Sequence, residues 1–367
     1  MKIIFQENFE IMLKACKFMN DNKNNESKKI VESFILDYVG IETKSEALLA
    51  HIIAESLLKR IDRDLLETKN IYLQEFNIPQ IVLFYKMVEV YPHVSESHKI
   101  ANQYLYSILR DLEEATIFEI GIGKGKQIGS LLYQFLENNS KLKKVNIIAL
   151  DPDPNNINDS EKNFITIKKE ASFDINFYPF CSFIEELSDN DFKQIKKLGK
   201  GNLLINSAFS MHHIAHPLND TEFRTEVFRR IKDLDPLLFT LAEPNSDHDV
   251  ENISKRLYNC WNHFGTVFNL IDHSTLEPEH KFLVKNTFFG REIRDMFGVS
   301  DYVRSERHES IESWLMRFVR SGYEPYKFKA ISTSLPEECN VNIMDGTTTL
   351  GYKGMDLIGI FAYKPKT

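Results

Sequence analysis

The glycine-rich stretch between residues 116 and 131 constrains the fold of this chain more than any other feature. It reads TIFEIGIGKGKQIGSL, a short apolar run followed by glycines at 121, 123 and 125. The apolar run predicts a buried strand. The glycines predict a sharp turn into a helix, because a backbone with φ > 0 and a closely approaching ligand both favour a residue without a Cβ. In an open α/β sheet, ligands bind outside the carboxyl ends of the strands, where such turns lie.

The spacing of the glycines favours one class of ligand. A dinucleotide site carries Gly-x-Gly-x-x-Gly and binds a diphosphate at a helix N-terminus, whereas this turn is Gly-x-Gly-x-Gly and follows an acidic strand residue, Glu119. S-adenosyl-L-methionine has no phosphate, and its methionine tail suits a carboxylate and bare backbone groups. The next predicted strand, 144–150, ends at Asp151, placed to accept from both ribose hydroxyls. We therefore predict S-adenosyl-L-methionine as the cofactor, against a purely structural turn. The turn residues predicted to bind it are Glu119, Gly121, Gly123, Gly125 and Asp151.

The hydrophobic pattern changes its period near residue 116. Before it, apolar residues recur at helical spacing from 8 to 110, with a polar break at 21–27. After it, strands alternate with helices, which is typical of a parallel sheet in an α/β protein. The stretches 155–170 and 273–285 have the weakest pattern and are predicted to be loops. The predicted strands are Ile117–Ile120, Val145–Leu150, Asn176–Phe180, Leu203–Ser207, Leu237–Glu243, Tyr326–Ile331, Thr348–Leu350 and Leu357–Tyr363.

Composition excludes several classes of protein. The 367 residues are 43% hydrophobic and 27% charged, as is ordinary for a globular protein, and the net charge of -8 argues against a nucleic-acid surface. The four cysteines lie far apart without a Cys-x-x-Cys, which favours neither a zinc cage nor a disulfide framework. No apolar run approaches 18 residues and the start lacks an apolar leader, so we expect a cytoplasmic protein without a membrane partner. A homodimer is compatible with these features.

Polar residues after the third and fourth strands extend the candidate site. Ser182 can bond adenine nitrogens while Phe183 or Phe180 stacks on the ring, although both phenylalanines can equally be core. The fourth strand leads into Asn206, assigned to the cofactor, and then into His212 and His213, suited to deprotonating an acceptor. Together with His216, His212 and His213 make three histidines that could bind a metal ion. No carboxylate or thiol at the spacing of metal ligands accompanies them, so no metal is predicted.

The fifth predicted strand leads into a run of polar residues that includes Glu243 and Asn245. We predict Glu243 as a general base and Asn245 as a substrate contact, while Ser246 and Asp247 are better explained as helix caps. The following helix is predicted to expose basic and aromatic side chains that roof a pocket, although such a stripe is more often core. Further predicted contacts are Gln103 to the cofactor, and His93, Arg256 and Trp261 to the substrate.

From about Met12 to Tyr363 the sequence resembles the GRAS domain, known from plant regulators and from bacterial proteins of the Rossmann methyltransferase superfamily. The similar motifs are Ala101-Asn102-Gln103, the segment from Leu204 to His212, Glu243-Pro-Asn245, Gly290-Arg291-Glu292-Ile293, the run Arg304 to Glu309, Trp314, Arg317, Gly322, Tyr323 and Pro325, and the tail Leu350 to Tyr363. The tail ends in Ala-Tyr where plant members have Ala-Trp.

The resemblance implies a Rossmann-like methyltransferase core, with a mostly parallel sheet, helices on both faces and an α-helical cap. It implies a cap at 1–92 and a core at 93–367, with a cap insertion around 250–300. Many plant members have lost the glycine turn, whereas this chain keeps it together with Asp151. We therefore expect a methyltransferase acting on a small, partly apolar molecule. The alternative is a non-catalytic regulatory module. The cluster Glu306-Arg307-His308-Glu309 is interpreted as an ion network rather than a catalytic group.

Overall fold

The computed structural model describes two compact units. Unit 1 contains Met1–Pro92, Asn245–Ser310 and Gly351–Leu357, and unit 2 contains His93–Pro244, Ile311–Leu350 and Ile358–Thr367. The described residues are 6–62, 77–137, 141–199, 201–214, 222–328 and 331–366. No helix among them is long and apolar enough to cross a bilayer.

The elements follow one another from a helical half into an alternating half. In chain order they are α1 (Gln6–Asn20), α2 (Asn24–Glu32), α3 (Ser45–Asp62), α4 (Gln80–Val90), α5 (Pro92–Leu109), β1 (Glu114–Ile120), α6 (Lys126–Glu137), β2 (Lys144–Leu150), α7 (Pro154–Glu170), β3 (Asp174–Phe180), α8 (Asp189–Gly199), β4 (Leu203–Ala208), α9 (Phe223–Lys232), β5 (Leu238–Pro244), α10 (Ile253–His273), α11 (Pro278–Leu283), α12 (Gly290–Gly298), α13 (Ile311–Arg320), β6 (Tyr323–Pro325), β7 (Cys339–Met344), β8 (Thr347–Tyr352) and β9 (Met355–Pro365). Short 3₁₀ turns cover Ile184–Glu186 and Met211–His213, and a π-helical turn covers Val284–Phe289.

The sheet has the order β3-β2-β1-β4-β5-β9-β8-β7, with β6 paired to β9. Strands β1 to β5 pair in parallel, and β9 joins β5 in the antiparallel sense. The predicted α/β class, with a mostly parallel sheet and helices on both faces, is confirmed. Because β1 lies between β2 and β4, the strand order reverses beside the glycine turn, and such switch points open a crevice at the carboxyl ends.

The core of unit 2 lies between one sheet face and three helices. Alternate strand residues such as Phe118, Ile205 and Phe239 point to the same face, since side chains of a strand alternate with period two. Trp314 of α13 and Phe228 of α9 pack in the same cluster, with ring centroids 6.1 Å apart. Each such side chain contributes about 1.5–3 kcal/mol by leaving water. This packing fixes the strand ends that carry the candidate site.

Unit 1 is helical and has its own core. Helix α10 buries its aromatic stripe there: Trp261 packs edge-on against Phe9 of α1 at 5.6 Å, and Phe264 lies 5.6 Å from Phe289. Helix α12 packs against α3, and α1 against α2. The division of the chain into cap and core, as distinct from these two units, stays a prediction.

Several predicted elements are wrong in place or type. The predicted loop at 155–170 is helix α7, whose start is capped by Asp153 and whose buried face includes the polar residues Asn156 and Ser160, which weaken the apolar pattern. The stretch 273–285 is largely helical. The described part of the predicted strand at 326–331 is not a strand, and the nearby β6 ends at Pro325. Strand β7 was not predicted because it is an edge strand with half of its residues exposed. Residues 63–76 of the predicted helical region lie outside the described residues.

Candidate functional site

The glycine turn of unit 2 adopts the backbone that its composition predicts. Gly121, Gly123 and Gly125 have φ of 79°, 52° and 69°. The amides of Gly121 and Ile122 donate to the Leu150 carbonyl at 2.8 and 3.0 Å, which ties the turn to the end of β2. A Cβ on Gly121 would lie 2.4 Å from the Ser210 hydroxyl oxygen. The turn therefore needs glycine for both its conformation and its packing.

Asp151 connects the glycine turn to the end of β2. Its Oδ2 accepts from the Gly123 amide at 2.9 Å, and its Oδ1 accepts from the Asp153 amide and the Asn156 side chain, both at 3.0 Å. Burial raises the pKa of Asp151, while these three donors lower it. A carboxylate offers about four acceptor positions, so these bonds leave room for one ribose hydroxyl. The prediction that Asp151 accepts from both hydroxyls is corrected to one.

Glu119 and Asn206 form a buried pair on adjacent strands. They are register partners of β1 and β4, and the Asn206 amide donates to both Glu119 oxygens at 2.8 and 2.9 Å. The Asn206 oxygen accepts from the Thr240 hydroxyl at 2.7 Å. Burial raises the pKa of Glu119 well above its usual range, and the bonds from Asn206 lower it. A cationic group of a ligand would stabilise the ionised form of this carboxylate.

Glu243 is fully buried and organises the turn after β4. Its Oε1 accepts from the amides of Ser210 and Met211 at 3.1 and 2.8 Å, and its Oε2 lies 2.5 Å from Nδ1 of His212. The prediction of Glu243 as the general base is therefore corrected, because both of its oxygens are bonded to the turn. With Nδ1–H donating to the carboxylate, the basic lone pair of His212 lies on Nε2, the arrangement of a histidine oriented by an acid.

Phe209 lies in the same turn, and the sequence did not predict it as a site residue. It has φ of 56°, a conformation that costs a non-glycine residue about 1–3 kcal/mol. Its amide donates to the Ala242 carbonyl at 2.8 Å, and the next residue, Ser210, donates from its hydroxyl to Ile120 at 3.1 Å. Its ring lies 5.7 Å from that of His98, whose pKa burial lowers to about 4. A positive φ at phenylalanine has no sequence signal.

The other predicted residues of unit 2 lie in different environments. His213 is half-buried with its ring 3.9 Å from His212, and Ser182 and Phe183 follow the end of β3. His93 has no exposed surface. Gln103 is a correction: its amide donates to the Ser332 carbonyl and accepts from the Ser332 amide, both at 2.8 Å, so it holds that tail segment. His216 lies outside the described residues.

The predicted substrate contacts Asn245, Arg256 and Trp261 belong to unit 1. Asn245 donates to the Asp356 carbonyl at 2.9 Å, and Arg256 bonds the carbonyls of Val250 and Met296 and pairs with Asp301. The prediction that α10 exposes its stripe as a roof is wrong, because Arg256 and Trp261 have no exposed surface. Tyr258 of the same helix is 40% exposed, whereas His263 and Phe264 are buried. The stripe is the packing face of a helix.

Comparison with known proteins identifies what the chain is similar to. The model of the GRAS domain family matches residues 9–339. The Scarecrow-like transcription factor PAT1 of Arabidopsis thaliana is 24% identical over 292 residues, 76% of this chain and 59% of that relative. The DELLA protein RGL1 of the same plant is 22% identical over 346 residues, 90% of this chain and 65% of the relative. The chain thus spans less than two thirds of either.

A solved structure is similar over almost the whole chain. The crystal structure of SCL7 in Oryza sativa has a TM-score of 0.75 at 17% identity, and the match covers 97% of this chain and 99% of that one. At this identity the likeness shows the fold.

Proposed function

This chain belongs to the GRAS domain family, and from that premise we propose that unit 2 binds S-adenosyl-L-methionine and methylates a small, partly apolar acceptor. The observation that carries the proposal is the glycine turn. Its three glycines all have φ > 0, and the Asp151 carboxylate holds the Gly123 amide at 2.9 Å. A turn that only reversed the chain would not need three such residues at alternate positions beside a strand-end carboxylate.

The residues around the turn fit the parts of this ligand. Glu119, a buried carboxylate whose pKa burial raises, suits the ligand's amino group, which would favour its charged form. Asp151 has one acceptor position for a ribose hydroxyl. Ser182 and Phe183, half-buried at the end of β3, suit the adenine ring. When bound, the ligand supplies a methyl group on a sulfonium; the protein supplies orientation and removes a proton.

His212 is the proposed base, and Glu243 is the residue that orients it. The proton of the acceptor passes to Nε2 of His212, while the Glu243 carboxylate, 2.5 Å from Nδ1, stabilises the imidazolium that forms. Arg224, buried, donates to the His212 carbonyl at 3.0 Å and fixes the backbone. This division of roles replaces the expectation that Glu243 itself takes the proton.

The test is methyl transfer from cofactor carrying a tritiated methyl group to a metabolite extract. We expect label in one small, moderately apolar product, and a rate reduced by about 10²-fold or more in His212→Gln, as for loss of a general base. His213→Gln is the matched control, because the His213 ring lies 3.9 Å from that of His212 while the Glu243 carboxylate is at Nδ1 of His212. Methyl transfer that survives His212→Gln at full rate would contradict the assigned base.

A second candidate is a regulatory module that binds the same ligand without turnover. It is favoured by the printed names of the relatives, a transcription factor and a DELLA protein, and by the structural engagement of both Glu243 oxygens. Its partner would be a protein, since the net charge of -8 disfavours nucleic acid. Cofactor binding with no labelled product, together with capture of a purified protein only when cofactor is bound, would support this candidate over the enzyme.

A further inference from the structure

Three polar side chains of unit 1, Ser246, His248 and His308, are linked in turn by hydrogen bonds, and the Glu306 carboxylate lies beside the last of them. The Ser246 hydroxyl lies 2.6 Å from Nε2 of His248, and Nδ1 of His248 lies 2.8 Å from Nδ1 of His308. Nε2 of His308 lies 3.3 Å from the Glu306 carboxylate. The exposed fractions are 7% for Ser246, 0% for His248, 2% for His308 and 0% for Glu306, so the serine is the most accessible member.

When Glu306 is ionised, the donors and acceptors along Ser246, His248 and His308 can be assigned in only one way. A carboxylate only accepts, so Nε2 of His308 carries a proton, and the lone pair of a neutral His308 is on Nδ1. His248 must then donate from Nδ1, which leaves its Nε2 to accept from the Ser246 hydroxyl. Burial lowers the pKa of His248 well below its usual range, helped by His308, His263, Arg304 and Arg256. The neutral imidazole that this direction requires is therefore the stable form.

The surrounding backbone and rings hold the two histidines in this arrangement. The amides of His248 and Asp249 both donate to the His308 carbonyl, at 2.9 and 3.2 Å, and the Ser246 amide donates to the Glu309 carbonyl at 3.3 Å. The His248 ring stacks on Phe264 at 5.7 Å with an interplanar angle of 11°. Arg304 and Arg307 each pair with Asp249 at 3.0 Å, which pins the two segments together. Arg304 and Arg307 thus take part in the predicted ion network, whereas His308 and Glu306 continue the series that begins at Ser246.

We propose that Ser246 is the nucleophile of a second reactive centre, with His248 as its base and His308 and Glu306 as positioning residues, and that it takes an acyl group from a small neutral ester. The atoms match those of a serine–histidine–acid triad with one imidazole inserted. The Ser246 oxygen forms a bond to the ester carbonyl carbon as its proton passes to Nε2 of His248. The alcohol leaves with that proton as its bond to carbon breaks, and water then hydrolyses the acyl-serine by the same route.

Burial around the serine selects against a charged substrate. Ser246 is 7% exposed, and His248 beside it has no exposed surface. Burying an ionised group without a partner costs far more than burying a neutral one, so a phosphate monoester is disfavoured relative to a neutral ester. The substrate class is therefore a small uncharged ester.

The test uses the full chain and a fluorophosphonate probe, with the adduct mapped by mass spectrometry. We expect one adduct at Ser246 and a burst of p-nitrophenol from p-nitrophenyl acetate equal to the protein concentration. Ser246→Ala should lose both, and Ser254→Ala, a control serine at the start of α10 that is bonded by Asn20, should lose neither. His308→Gln, which does not touch the serine, should label about 100-fold more slowly at an unchanged melting temperature. Glu306→Asp should recover more of the rate than Glu306→Gln.

The wild-type protein alone decides the proposal if a variant fails to fold. Because burial lowers the pKa of His248 well below its usual range, the labelling rate of Ser246 should change less than threefold between pH 6 and 8. An unassisted serine, reacting through its alkoxide, would label about tenfold faster for each pH unit. No adduct in the wild type, an adduct at a different serine, or a rate that rises tenfold per unit would each overturn the proposal.

Discussion

Replacing Asp151 by alanine tests how one carboxylate serves both the fold and the ligand. The change removes the acceptor of three donors: the amides of Gly123 and Asp153 and the side chain of Asn156. Bonds to a charged group contribute about 1.5–3 kcal/mol each, and they are not additive when water replaces some of them. We expect the free energy of unfolding to fall by about 2–4 kcal/mol.

The same change should weaken the ligand by a separate amount. One remaining acceptor position bonds one ribose hydroxyl, so S-adenosyl-L-methionine should bind about 10- to 150-fold more weakly, the equivalent of about 1.5–3 kcal/mol. The matched control is Asp153→Ala, which removes a carboxylate two residues away whose side chain caps α7 through the Asn155 amide. It should lower stability by about 1 kcal/mol and leave affinity unchanged.

Both quantities are measurable on one preparation of each variant. Denaturant unfolding gives the stability, and titration calorimetry at a temperature where each variant is folded gives the affinity. Affinity within twofold of wild type in Asp151→Ala would remove the carboxylate from the ligand site. An equal loss in Asp153→Ala would show that the effect comes from the α7 start and not from the ribose contact.

Three further predictions follow from single contacts. Glu243→Gln should lower methyl transfer by about 10²-fold or more with cofactor affinity within threefold, because an amide NH₂ facing Nδ1 of His212 reverses its tautomer; unchanged turnover would refute the orienting role. Gly121→Ala should destabilise the protein by about 1–3 kcal/mol, since its Cβ meets the Ser210 hydroxyl at a φ of 79°, and Ser210→Gly should recover part of this loss in the double variant by thermal unfolding. Burial, and then the Glu306 charge, raise the pKa of Asp295 from 3.8 to about 7. The folded state therefore binds a proton more tightly than the unfolded state, and the free energy of unfolding should fall as pH rises from about 4 to 7. Asp295→Asn should flatten this part of the plot of unfolding free energy against pH, and an unchanged slope would contradict the shift.

The backbone is predictable from the sequence where the local residue types determine it. Three glycines at alternate positions have few uses, and each has the positive φ that its residue type permits at low cost. Strands β1 to β5 were predicted within about three residues at each end, and four of them, β1, β2, β4 and β5, are mostly buried apolar runs. Asp151 was found for the same reason, as the first polar residue after such a run.

The sequence could not reveal which partner a buried polar residue takes. The sequence around Glu243 is compatible with a general base and with an acceptor of bonds from two amides and a histidine. The three-dimensional course of the turn after β4 determines which of these roles the carboxylate has. The stripe of α10 is equally compatible with a pocket wall and a helix core, and packing against Phe9 makes it core. In the sequence His308 belongs to a run of charged residues. Its hydrogen bond to His248 joins residues 60 positions apart, so the local pattern does not indicate it. Long-range pairing of this kind has no local signal.

Titration calorimetry of S-adenosyl-L-methionine into the full chain and into Gly123→Val tests the central claim most directly. Gly123 has φ of 52° and donates its amide to Asp151, and a branched side chain both resists that φ and occupies the space of the ligand. We predict saturable binding of one ligand per wild-type chain and no detectable binding to the variant, whose unfolding transition remains cooperative. No binding to the wild type at millimolar ligand, or equal affinity in the two proteins, would contradict the account.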